Sequence, residues 1–253
     1  MYDTDACGAN QSRMKYYHDK YVLIADSHIQ CGSEKAEIFF RMLDRLAALK
    51  PAGILFLGDI FELWIALKGY EMPEHKRFVD WCRSHSKNME IGFIEGNHEF
   101  FVSDTYRTAF SWVTDQKHDL NQTIRLVHGD TINRRDWKYL LLRGAIRNFV
   151  TKFLLKLFAP TIGPRVSDHI RLSLKTSNMA HKKYLPRADL ESCAVQCSAH
   201  GITSVTAGHF HAWEQIHTGA GTVVNILPAW DIAGEIALMD SAGNVTCLAW
   251  EKL

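Results

Sequence analysis

Five times in this sequence a short apolar run stops on a loop built from Asp, Asn, His and Gly, and that recurrence constrains the fold more than any other feature. Tyr21-Val-Leu-Ile-Ala25 ends in Asp26-Ser27-His28, and Ile54-Leu-Phe-Leu57 ends in Gly58-Asp59. Ile91-Gly-Phe-Ile94 leads into Gly96-Asn97-His98-Glu99, residues 123–127 into His128-Gly129-Asp130, and residues 202–207 into Gly208-His209-Phe210-His211. Short, continuous, β-branched runs read as strands buried on both faces. In open α/β sheets, ligands collect beyond the carboxyl ends of the strands, and all five loops fall there. One such loop alone would be ordinary turn chemistry, because Gly, Asn and Asp favour turns. Five of the chain's 13 His in such loops is not readily chance.

Between the runs, residues 34–49 show helical spacing, with Ile38, Phe39, Met42, Leu43 and Leu46 on one face and Pro51 as the stop. Residues 74–87 read as a second helix with Phe78, Val79 and Cys82 inward. Strand-like runs return at 222–227, 235–239 and 245–250, with Asp240, Ser241, Gly243 and Asn244 as turn residues. Strand–helix units first and mostly strand later predict an α/β fold, a two-sheet sandwich flanked by helices. Residues 1–133 and 188–253 would form the core, with a helical cap inserted over 134–187.

Charge separates that insertion from the rest. It carries 13 Lys and Arg against Asp136 and Asp168, a charge of +11 in a chain of net +1, so the remainder is −10. Apolar residues such as Leu141, Phe149, Phe153 and Leu157 interleave there with Arg143, Arg147, Lys152 and Lys156. Basic amphipathic helices favour an anionic membrane surface or an anionic amphiphile; no nucleic-acid partner is expected. The six cysteines include no Cys-x-x-Cys pair, which points to a reducing, cytosolic compartment. Residues 1–20 are polar and lack the apolar middle of a signal peptide. No apolar run reaches the roughly 18 residues that span a bilayer. The expectation is a cytoplasmic protein whose membrane contact, if any, is peripheral.

Asp26, His28, Asp59, Asn97, His128, His209 and His211 form the candidate ligand set. Imidazoles mixed with carboxylates and one amide suit Mn²⁺, Fe²⁺ or Zn²⁺. Seven ligands exceed one open site and suit two ions. Two ions roughly 3.5–4 Å apart share a water, lower its pKa to about 7 and clamp a phosphoryl centre. Neither a Gly-x-Ser-x-Gly nucleophile elbow nor a phosphate-binding P-loop is present.

Asp-x-His, Gly-Asp, Gly-Asn-His-Glu, His-Gly-Asp and Gly-His-x-His, in this order, resemble the calcineurin-like metallophosphoesterase superfamily. The resemblance implies one metal on Asp26, His28, Asp59 and His211, and a second on Asp59, Asn97, His128 and His209, with Asp59 bridging. It implies that His98 is the catalytic acid or phosphate contact, and it makes Asp130 and Glu99 candidates for orienting metal-bound His. Gly58-Asp-Ile-Phe-Glu-Leu-Trp64 and His128-Gly-Asp-Thr-Ile-Asn-Arg-Arg-Asp136-Trp-Lys-Tyr139 are more narrowly similar to the UDP-2,3-diacylglucosamine hydrolases of the lipid A pathway. That likeness implies Mn²⁺-dependent attack of water on a pyrophosphate, releasing UMP and lipid X at the inner face of the bacterial inner membrane. It also implies substrate contacts from Asp136, Tyr139, Arg171 and Lys175, although Asp136 and Tyr139 read equally well as a helix cap and a packing residue. Trp213, His217 and Trp230 are near enough in sequence to line the pocket. The narrower family has Arg-Asp where this chain has His98-Glu99; the His form is that of general phosphoesterases, which favours as alternative another phosphodiester or nucleotide pyrophosphate.

Overall fold

The alternation of large side chains along each strand decides the architecture. In β1 (Tyr21–Ile24), Val22 and Ile24 face one way while Leu23 faces the other, and all three are buried. The same split runs through β2 (Gly53–Phe56) and β4 (Glu90–Ile94). Each strand must therefore be covered on both sides. In the computed structural model, which describes residues 15–158 and 185–253, two sheets meet face to face and helices cover their outer faces. Arg171 and Lys175 lie outside the described residues.

The strands in chain order are β1, β2, β3 (Trp64–Ile65), β4, β5 (Glu99–Phe100), β6 (Trp112–Thr114), β7 (Lys117–Leu120), β8 (Ile124–Val127), β9 (Ser204–Ala207), β10 (Glu214–His217), β11 (Val223–Ile226), β12 (Glu235–Met239) and β13 (Val245–Ala249). The first sheet has the order β13-β12-β1-β2-β4-β6, and the second β10-β11-β9-β8-β7. β1, β2, β4 and β6 run parallel, as do β8, β9 and β11. Leu23, Leu55, Leu57 and Ile94 from the first sheet pack against Ile124 and Leu126 from the second. Val22, Ile24, Ile54, Phe56 and Phe93 pack outward beneath α1 (Glu34–Ala48) and α2 (Pro73–His85). Ser33 starts α1 by accepting from the Ala36 N–H at 3.2 Å, and Pro73 opens α2, where a missing N–H costs nothing.

The helix Arg187–Ser198 was not anticipated. It lays Leu190, Ala194 and Cys197 on the outer face of the second sheet, against Val205 and Val224. β3 and β5 were also unanticipated: they form a parallel ribbon that pairs Trp64 with Glu99. Leu63, Ile65, Leu67, Tyr70, Phe100 and Phe101 cluster around this ribbon, and Ile146 and Leu155 of the basic segment pack on it. Those two residues come from the helix Trp137–Ile146 and from the helical residues 149–158. Among the described residues no helix is long and apolar enough to cross a membrane.

Candidate metal centre

Parallel strands carry their following loops to one edge of the sandwich, and the loops continue the strand ladder. Beyond β1 and β2, Asp26 N donates to Gly58 O at 3.0 Å and His28 N to Asp59 O at 2.9 Å. The backbone there is unusual. Asp26, His28, Asp59, His209 and His211 all have φ between 40° and 69°, a left-handed conformation that non-glycine residues seldom adopt and that collects at functional sites. Close approach needs glycine as well. A Cβ on Gly96 would stand 2.1 Å from Asp59 Oδ1, and one on Gly208 would stand 2.7 Å from Asp26 Oδ2.

The seven side chains converge. Asp26, His28 and His211 each offer an atom within 4.8 Å of the others, and Asp59, His128 and His209 do the same. Asn97 Oδ1 lies 3.1 Å from His128 Nε2, which in turn lies 3.5 Å from Asp59 Oδ2. His28 Nε2 is 4.0 Å from the same Asp59 oxygen, so Asp59 stands between the two groups. His98 Nε2 is 3.8 Å from it, and His28, Asp59 and His98 form a third cluster.

Hydrogen bonds determine which imidazole nitrogens face the cleft. A carbonyl oxygen only accepts, so His128 Nδ1 must carry the hydrogen shared with Leu57 O at 2.8 Å. Its Nε2 then faces Asp59 and Asn97, and it is the nitrogen left for ligation once it gives up its proton. His98 Nδ1 likewise donates to Glu62 O at 2.6 Å. Main-chain carbonyls orient these rings, not the carboxylates of Asp130 and Glu99. Glu99 is bound differently: its oxygens accept from the N–H groups of Asp59 (2.7 Å), Ile60 (2.6 Å) and Gly96 (2.8 Å). It fastens the backbone under Asp59 to the Gly96–Glu99 turn, and the β3–β5 ribbon places it there.

Asp130 accepts from Tyr139 Oη at 2.5 Å and from Arg143 Nε at 2.7 Å. Asp136 accepts from Tyr139 N at 3.1 Å and caps the helix that follows. Trp230 is buried in the core with its Nε1 3.0 Å from Met42 Sδ, so it does not line the cleft, whereas Trp213 is exposed. Motif reading missed Arg143 and Arg147 as site neighbours; two arginines four apart on the helix that follows His128-Gly129-Asp130 were the available signal.

Burial and charge together prepare the cluster for cations. Burial opposes ionisation of Asp59, but His98, His128 and His28 outweigh it and hold this carboxyl well below the usual range. Asp26 is lowered in the same way by His211 and His128 acting against burial. Burial pushes His28 down to about 3, and burial with the nearby His128 pushes His209 down to about 4, so both are free bases at neutral pH. Burial disfavours charge on His128 too, yet Asp59 overrides it and lifts His128 to about 10. Asp26 Oδ1 is buried with no hydrogen-bond partner among the described residues, although His211 Nε2 lies 3.2 Å away out of alignment. His211 Nδ1 is orphaned as well. A buried carboxylate oxygen without a donor is costly unless a cation meets it, so this donor set fits divalent ions.

Ionised carboxylates and free imidazoles gathered at the strand ends of a two-sheet α/β sandwich define a metal-dependent phosphoester hydrolase. The model of the calcineurin-like phosphoesterase family matches residues 20–213, and the chain belongs to that family. The chain is 24% identical over 231 residues to the UDP-2,3-diacylglucosamine hydrolase of Edwardsiella ictaluri, covering 88% of this chain and 89% of that one. It is 24% identical over 233 residues to the Pseudomonas entomophila protein of the same name, covering 88% and 95%. Among solved structures it is similar to a Pseudomonas putida nuclease, with TM-score 0.42, 19% identity and coverage of 94% and 88%.

Proposed function

We propose that this chain hydrolyses the pyrophosphate of UDP-2,3-diacylglucosamine to UMP and lipid X, using two divalent ions, Mn²⁺ first among them. One ion would be held by Asp26, His28, Asp59 and His211, the other by Asp59, Asn97, His128 and His209. The observation that carries the substrate class is a cavity of about 270 Å³ where Arg147, Lys152 and Lys156 outnumber a single acidic residue, Asp104, and share the lining with Phe149 and Phe153. Arg147 also touches the carbonyl of Gly96, next to Asn97. Cationic and aromatic groups on one wall beside a metal cleft suit a diphosphate that carries acyl chains. The names of the relatives point the same way.

When bound, the ions would polarise the phosphoryl group and lower the pKa of a shared water to about 7. His98 holds one proton at Nδ1 against Glu62 O, so a second proton, carried at Nε2, would be the one that meets the substrate phosphate or passes to the departing oxygen. Residues 134–187 serve as the cap. Trp137, Leu141, Phe149 and Leu157 are 59%, 64%, 80% and 60% exposed on it, which supports peripheral contact with an anionic membrane face. Asp136 and Tyr139 would reach the sugar only by releasing their present bonds.

UMP release from UDP-2,3-diacylglucosamine by the Mn²⁺-loaded chain tests this reading, against a panel of other nucleotide diphosphate esters and phosphodiesters. Preference for a non-acylated ester would establish the second reading, a phosphoesterase of another nucleotide substrate. His98 favours that reading, because it sits 3.8 Å from Asp59 Oδ2 where the lipid A enzymes carry Arg.

A further inference from the structure

Arg143 and Arg147 stand one helical turn apart at the end of the helix Trp137–Ile146 and reach two different loops. Arg143 Nε donates to Asp130 Oδ2 at 2.7 Å, and its Nη2 to Asp115 O at 2.6 Å. Asp130 belongs to the His128-Gly129-Asp130 loop. Arg147 Nη1 donates to Glu95 Oε2 at 3.1 Å, while Nη2 donates to Glu99 O at 2.8 Å and to Gly96 O. Those acceptors bracket Asn97 and His98. The Arg147 side chain is 7% exposed and Glu95 is 1% exposed; Ser103 N and Oγ occupy the other Glu95 oxygen at 2.7 Å each. Arg147 therefore has little freedom to sit elsewhere. Its planar fork meets three acceptors at once, which a lysine ammonium on a flexible stem does not reproduce.

The two loops carry Asn97 and His128, whose side-chain atoms are 3.1 Å apart. By contrast, Asp26, His28 and His211 are tied to β1, β2 and the Gly208 loop, without a described hydrogen bond to this helix. We infer that Arg143 and Arg147 act as a two-armed strap that sets the spacing of Asn97 and His128, so that one of the two metal positions depends on the docked helix and the other does not. Both are positioning residues. The inference rests on the ligand assignment proposed above.

The test is a Mn²⁺ binding isotherm on the full chain, with elemental analysis for stoichiometry. Arg147→Met is combined with Glu95→Gln so that no buried carboxylate is left uncompensated, and Arg147→Lys and Arg143→Lys are made separately. Arg134→Ala is the control, because it removes the tie from this segment to exposed Gln196 at 2.9 Å without touching either loop. The strap predicts that affinity at one position falls tenfold or more in each Arg143 and Arg147 variant, that the other position is unchanged, and that Arg134→Ala matches the parent chain. Loss of both positions together, or of neither, overturns the strap while leaving the two-ion reading intact. A parent chain that takes up fewer than two ions overturns the ligand assignment and the strap with it.

Discussion

His28 Nε2 and His211 Nε2 face each other at 3.4 Å across 183 residues of sequence. Two imidazoles placed nitrogen to nitrogen share at most one proton, and burial keeps His28 from taking one at neutral pH. Alone the pair can make one N–H···N hydrogen bond at most, whereas a cation between the rings would engage both nitrogens. His211→Ala is expected to remove one ion per chain and retain the other, read by elemental analysis after gel filtration. Full retention of both ions would contradict the assignment of His211.

His98 is the ring whose loss should spare the metals. It is 3% exposed and held by Glu62 O, and neither proposed ion needs it. His98→Gln should keep both ions and lower kcat by about 10²–10⁴-fold, the usual contribution of a positioned acid or base. An unchanged kcat would remove its catalytic role.

Glu99 is predicted to matter through the backbone. Burial and the facing Asp59 raise its carboxyl to about 8, with the N–H donors acting the other way. Glu99→Gln would turn an amide NH₂ toward N–H groups that the carboxylate accepts, leaving a buried donor unmet at about 1–3 kcal/mol above about pH 8, where Glu99 is ionised. Denaturant unfolding should show that loss in the metal-free chain, together with weaker Mn²⁺ uptake. Gly96→Ala should be more severe for metal uptake, since its Cβ would sit 2.1 Å from Asp59 Oδ1.

Metal uptake should release a proton from His128. Its folded pKa of about 10 stands above the ordinary 6.5, so the stability it contributes is complete below about 6.5 and disappears as pH rises through about 10. Ligation at Nε2 displaces that proton, so Mn²⁺ affinity should rise with pH up to about 10. At pH 9, above the Glu99 value and below that of His128, calorimetry in buffers of different ionisation enthalpy should count close to two protons, one from His128 and one from the shared water. His128→Asn should remove one of them. No proton release in the parent chain would contradict the account.

The strand-end motifs were legible because each combines a doubly buried apolar run with polar residues that the sheet geometry sends to one edge. Asp26, His28, Asp59, Asn97, His128, His209 and His211 all meet there. Edge elements were less legible. Lys117–Leu120 alternates exposed and buried positions, but only Leu120 is fully apolar, and Trp64–Ile65 and Glu99–Phe100 are too short to show any period. Trp230 was drawn toward the pocket by its place in sequence, while the packing of Met42 and Phe39 takes it into the core. The role of Glu99 depends on contacts with residues 38 to 40 positions earlier, which no local pattern encodes.

The most direct test is electron paramagnetic resonance of the Mn²⁺-loaded chain, because the central claim is that Asp59 joins two neighbouring ions. The account predicts two Mn²⁺ per chain with a spin-coupled spectrum that collapses in Asp59→Asn. A single ion, or two ions with uncoupled signals in the parent chain, would contradict it.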